Sequence, residues 1–234
     1  EDPRTSLEQL ARVINSDPPL AAYLMQFADS PLLRGGRQGM SMRDLLARLG
    51  TRQLNDLVLG FTVRHLFASR EASLQQAFAL RWRRARERAA YCAALAQRCS
   101  LALDDAMLAG LLQDIGSLPL LDELQHWPDF PREMAALDEL CDQLSADIGA
   151  LVLTRWQLPA AVIECARHLG QWQRQHEGAA DLTDLVLVAS ALQADAAALV
   201  EPLPAQQRLG LQQPLAELRE ALRPELQLWL RLLA

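Results

Sequence analysis

Residues 71–98 read EASLQQAFALRWRRARERAAYCAALAQR. The stretch predicts one long helix, and with it the fold class. Composition extends the reading to the whole chain. The 48 Leu and 37 Ala make up more than a third of the 234 residues, and both are strong helix formers. Val, Ile and Thr together number only 17, too few β-branched residues to pack the faces of a sheet. An all-β fold is excluded and an all-α one expected.

Outward from that helix the punctuation stays helical. Leu7, Leu10, Ala11 and Ile14 form one amphipathic face. Asp17-Pro18-Pro19 ends that helix and opens a second, through about Ala28. Ser30 to Gly39 reads as a surface loop. Ser41, with Asp44 three residues on, is a capping-box-like start for Met42–Leu49. Gly50 closes that helix, and Thr51 caps a longer one to about Ala68. On the C-terminal side a helix is expected from Asp104 or Asp105 to Ile115, then short helical pieces and turns over Gly116–Pro131. Helices follow at about Arg132–Gln143, Ser145–Trp156, Pro159–Leu169 and Asp181–Val200. The last helical stretch is Leu215–Leu233, where Pro214 and Pro224 mark helix starts. The expected architecture is a multi-helix domain over residues 71–234, preceded by a smaller N-terminal helical bundle over residues 1–70. The two are expected to pack as a single unit spanning 1–234.

Other observations bound the function. Every basic residue is Arg, so Schiff-base catalysis, a P-loop lysine and acyl-lysine regulation are excluded. The net charge of −6 offers no general attraction to nucleic acid or anionic membrane. No apolar run approaches the roughly 20 residues that span a bilayer. Leu185–Val200 is interrupted by Gln193 and Asp195. Glu1-Asp2-Pro3-Arg4 lacks the features of a signal peptide, and a chain starting with Glu1 reads as a trimmed chain or as a segment of a longer protein. A cytoplasmic location is expected. Cys92, Cys99, Cys141 and Cys165 show no metal-ligand spacing and read as buried free thiols. His65, His126 and His176 are isolated in sequence and read as surface or packing residues, and Trp156 as a helix-end anchor in the core. Ser69 and Ser73 lack a nucleophile elbow, and Gly35-Gly36 follows no strand. The run Arg81-Trp82-Arg83-Arg84-Ala85-Arg86-Glu87-Arg88 has the residue types of a nucleic-acid contact. At 100° per residue, however, its arginines spread around a helix, which favours solvated or intramolecularly paired side chains.

Several motifs fall in a recognisable order. Ile14-Asn15-Ser16-Asp17-Pro18-Pro19-Leu20 precedes Phe27-Ala28-Asp29-Ser30-Pro31 and Ser41-Met42-Arg43-Asp44-Leu45-Leu46-Ala47-Arg48-Leu49-Gly50. Leu54-Asn55-Asp56-Leu57 follows, then Ala109-Gly110-Leu111-Leu112-Gln113-Asp114-Ile115-Gly116. Ile148-Gly149, Trp156-Gln157-Leu158-Pro159 and His168 complete the series. Over roughly Leu7 to Leu222 the chain resembles the HDOD domains, HD-related output domains of bacterial signalling proteins. The resemblance implies an all-α HD-like fold and a regulatory role through protein partners, such as a receiver or other sensor domain in the parent chain.

In catalytic relatives His and Asp residues at fixed places hold one or two metals. Here those places fall on Arg84, Gln113, Ser145 and Ser190, leaving only Asp114 and His168 as possible ligands. Arg cannot donate a lone pair to a metal, and Gln offers only a neutral carbonyl oxygen. The expectation is therefore a domain without catalytic residues, metal or cofactor. Its degenerate pocket comprises Arg84, Gln113, Asp114, Ser145, His168 and Ser190. An Arg84–Asp114 ion pair is expected to stand in for metal–carboxylate attraction. An alternative is that Arg84, Gln113 and His168 bind a nucleotide or other small anion. A nucleic-acid-associated regulator is a further alternative, set back by the acidic net charge.

Overall fold

In the computed structural model the backbone is described for residues 3–28, 41–66, 69–194 and 199–233. The expected loop at 30–39 and the side chains of Thr51 and His65 lie outside what is described. Twelve helices and no strand are found among the described residues. They fall into two compact units, Glu1–Leu66 and Phe67–Ala234.

The first unit contains α1 (Pro3–Asn15), α2 (Pro18–Ala28) and α3 (Met42–Leu66). Each packs on the other two. Ile14, Leu24, Leu45, Leu46 and Leu54 are buried, and the Tyr23 and Phe61 rings meet with centroids 5.4 Å apart. The capping box forms as expected: Asp44 N–H donates to Ser41 Oγ at 3.2 Å, and Ser41 N–H donates to the Asp44 carboxylate at 3.2 Å. Gly50 breaks α3 internally with φ +72°, a left-handed conformation that favours glycine.

The second unit is built around α4 (Ala72–Cys99). The helix ends at Ser100, whose φ of +56° turns the chain away. α5 (Leu103–Leu112), α6 (Ser117–Leu124), α7 (Met134–Arg155), α9 (Leu182–Ala191) and α12 (Arg223–Leu232) all pack on α4. α8 (Ala160–Arg167) bridges α5, α7 and α9, while α10 (Pro204–Arg208) lies on α9, and α11 (Leu215–Ala221) meets α12. Alanine governs the second half of α4: Ala89, Ala90, Ala93, Ala94 and Ala96 are buried, so neighbouring backbones come close. Gly110 of α5 uses that closeness. A Cβ there would lie 2.7 Å from Cys92 Sγ and 3.0 Å from Ala89 Cα. Every residue from Thr183 to Ala191 is buried, so α9 runs through the interior, mostly apolar but with Thr183, Asp184 and Ser190 as buried polar positions. No helix of the described residues is long and apolar enough to cross a membrane.

Three boundaries differ from those read in the sequence. The expected helices 132–143 and 145–156 are one continuous helix, α7. Ser145, read as a start signal, is buried in the middle of α7, where nothing obliges the chain to break. α9 ends at Ala191 rather than reaching Val200, and the short α10 carries no strong sequence signal.

Candidate site: a buried guanidinium and carboxylate cluster

α4, the turn after α5, and α7 meet around two carboxylates and three arginines. Arg81 is buried on the inner face of α4, with only 6% of its side chain exposed. Its Nη1 donates to Asp114 Oδ2 at 3.2 Å, and its Nη2 to Asp138 Oδ1 of α7. Burial works against its charge, but Asp114 and Asp138, with the nearby Cys141, outweigh that cost and raise the pKa. Arg84 sits one turn along α4. It is 42% exposed and reaches Asp138, at 3.6 Å, rather than Asp114.

The expected Arg84–Asp114 pair is therefore made by Arg81. The reason is helical geometry: Arg81, Ala85 and Arg88 share the inward face, while Arg84 points toward solvent at its edge. Arg88 is the third cation. Its Nε donates to the Gly110 carbonyl at 2.7 Å, and its Nη2 has no hydrogen-bond partner among the described residues. Burial lowers the Arg88 pKa, partly offset by Asp114. Arg81 and Arg88 are thus withdrawn from solvent, and neither can contact a nucleic-acid phosphate.

Around this cluster lie the other residues named from the sequence. Ser190 of α9 donates its hydroxyl to Gln113 Oε1 at 2.5 Å, so these two are brought together. Gln113 Nε2, Asp114 Oδ1 and Ser145 Oγ are buried without a hydrogen-bond partner among the described residues. Gly116 seals one side, since a Cβ there would lie 2.1 Å from the Ser145 carbonyl oxygen. Cys141 is buried and its thiol is pushed up to about 11 by desolvation. His168 stands apart. Its Nδ1 lies 2.9 Å from the Glu164 carbonyl one turn back, and 3.6 Å from the Glu164 carboxylate.

Sequence reasoning missed Asp138, whose role depends on α7 crossing α4, and it put Arg84 where Arg81 belongs. It also missed a second ionic cluster. His176 Nε2 lies 2.9 Å from Asp184 Oδ2, although His176 looked isolated in the sequence. A fold-back of the chain brings the two together. Arg174 binds Asp181 through both Nη atoms, at 3.0 and 2.7 Å, and Asp184 at 3.1 Å. Arg208 adds a contact to Asp184 at 3.5 Å. Asp181 also caps α9, with a capping box to Asp184. The His176, Asp181 and Asp184 donor atoms lie within 4.8 Å of one another, but two guanidinium groups already share these oxygens. The arrangement suits an internal ion network.

Trp156 also departs from expectation. It is 36% exposed at the end of α7 instead of anchored in the core, and it lines a surface groove.

Comparison with known proteins places this geometry. No curated protein matches the chain significantly. A solved Shewanella amazonensis SB2B protein, provisionally named a metal-dependent phosphohydrolase, is similar over 97% of this chain and 85% of its own, with a TM-score of 0.78 and 22% identity. A Geobacter sulfurreducens HDOD domain protein of unknown function matches over 99% of this chain and 88% of its own, with a TM-score of 0.64 and 17% identity. A Marinobacter aquaeolei VT8 protein, provisionally named for signal transduction, matches over 95% of this chain and 53% of its own, with a TM-score of 0.61 and 20% identity. At these identities the likenesses speak for the fold. The HDOD domain family itself matches residues 1–171, most of the sequence, and the chain belongs to that family.

Proposed function

We propose that this HDOD domain is a non-catalytic regulatory module that carries a signal by binding other proteins. The observation that carries the reading is the Arg81 guanidinium on Asp114. A hydrolytic metal site needs several anionic or imidazole ligands and an open position for water. Here the carboxylate that a metal would use is neutralised by an arginine, and Gln113, Ser145 and Ser190 supply no anionic donor. His168 bonds to its own helix. These residues do not fit a divalent ion. The signal-transduction name of the Marinobacter relative supports the same reading.

The test is metal loading and turnover. Purified protein, incubated with manganese, iron or zinc and then desalted, is expected to retain far less than one equivalent and to hydrolyse no phosphomonoester or phosphodiester. Stoichiometric metal together with turnover overturns the reading. If the reading holds, the protein used as bait captures signalling partners from native lysate.

A second reading is favoured by the buried donors Arg88 Nη2 and Gln113 Nε2, which have no acceptor among the described residues. They suit a small anionic ligand such as a nucleotide. Calorimetric titration with a nucleotide panel tests it, and no heat at millimolar ligand removes it.

A further inference from the structure

The exposed face of α7 carries apolar side chains that the other described residues of its unit leave uncovered. Leu151 is 70% exposed and Leu144 is 42% exposed. Beside them a groove of about 370 Å³ is lined by Ile115, Pro119, Leu151, Val152, Arg155 and Trp156. At 100° per residue Leu144, Asp147, Leu151 and Arg155 lie within one 80° sector of the helix. Asp147 and Arg155 have no ion-pair partner among the described residues.

Asp147 and Arg155 are placed symmetrically about Leu151. Asp147 lies four residues before it and Arg155 four after, about 6 Å to either side along the axis. We propose that this face pairs with a second copy of the chain, α7 against α7, antiparallel about a two-fold axis at Leu151. The two Leu151 side chains then meet on the axis. Each Asp147 comes level with the partner's Arg155, and each Leu144, seven residues from the axis, falls at the Trp156 end of the partner's groove. A two-fold interface must be self-complementary. An opposite-charge pair placed equally on either side of an apolar centre meets that condition, and it gives no such match to a parallel helix. One helix pair and a groove lie at the small end of stable interfaces, so the dimer is concentration-dependent.

The test is sedimentation equilibrium of the 234-residue chain from about ten to several hundred micromolar, with Asp147→Arg, Arg155→Asp and the double exchange. All three substitute exposed side chains, and circular dichroism verifies folding. Each single variant is expected to weaken dimerisation about tenfold or more by setting like charges level across the axis. The double exchange is expected to restore it. Leu151→Asp is expected to give a monomer throughout. A wild-type monomer over the whole range, or a dimer indifferent to charge reversal, overturns the proposal. An α7 face that instead takes up a different protein while the chain stays monomeric overturns it as well. The metal and turnover assays are independent of this outcome.

Discussion

Arg81 and Arg84 are one helical turn apart, and the fold gives them unequal weight. Arg81 is buried between Asp114 and Asp138, so Arg81→Ala strands the Asp114 carboxylate in the interior. The expected loss is about 3–5 kcal/mol in urea unfolding, typical of breaking a buried pair. Arg84 is partly solvated, and Arg84→Ala is expected to cost less than about 1 kcal/mol. A larger loss at 84 than at 81 would show the pair assignment to be wrong. His176 offers a pH readout at the same scale. The hydrogen bond to Asp184 raises its pKa, helped by the Glu177 backbone and the charges of Asp184 and Asp181, against partial desolvation. A raised folded pKa stabilises the protonated form. Its contribution is complete below the unfolded value of about 6.5 and fades as pH rises through the higher folded value. Asp181 acts oppositely. Burial raises its pKa, but Arg174, the Asp184 backbone and His176 outweigh burial and lower it. Its contribution is present above the ordinary carboxylate value and fades as pH falls through the lowered one. Thermal melts should show the wild-type Tm falling above about pH 6.5 by more than that of His176→Gln. Equal slopes for the two proteins would remove His176 as the cause.

At the scale of elements, the segment Gly110-Leu111-Leu112-Gln113-Asp114-Ile115-Gly116 does two jobs. Its middle delivers Gln113 and Asp114 to the cluster, and its glycines set how closely helices approach. A Cβ on Gly116 would meet the Ser145 carbonyl at 2.1 Å and the Gly149 nitrogen at 2.4 Å. Both are backbone atoms of α7 and cannot swing aside. Gly116→Ala is expected to cost at least about 3 kcal/mol, the upper range for overpacking, and to lower Tm accordingly. Gly210→Ala meets no atom within 4 Å but holds φ +71°, so its loss is backbone strain alone and smaller. Unfolding midpoints of the two variants in the reverse order would contradict the close-approach argument. The continuous α7 also belongs to this scale. Ser145 and Leu144 look like a helix boundary in the sequence, yet packing against α4, α6 and α8 carries the helix through both.

For the whole molecule, burial decides which side chains meet solvent. Cys92, Cys141 and Cys165 are buried, and desolvation pushes the Cys165 thiol up to about 12 and Cys92 higher still. Cys99 is half-buried, its thiol raised by desolvation against the pull of Arg98. A thiol-specific disulfide reagent near neutral pH is expected to modify only Cys99 in the native protein, and all four thiols in denaturant. Two or more fast native thiols would contradict the packing around α4. The all-helical class, most helix positions, the Ser41–Asp44 cap and the family were legible in the sequence, because each rests on local periodicity or on residues close together in the chain. Which arginine reaches Asp114 was not legible, since it depends on the rotation of α4 against α5 and the turn that follows it. Nor was the meeting of His176 with Asp184, or the exposure of Leu151 and Trp156. Those depend on how the chain folds back and on which helix faces find partners. Local sequence sets where helices start, stop and turn an apolar side inward; tertiary packing alone selects which polar groups share the interior, because that choice is settled by the desolvation and pairing of groups tens of residues apart.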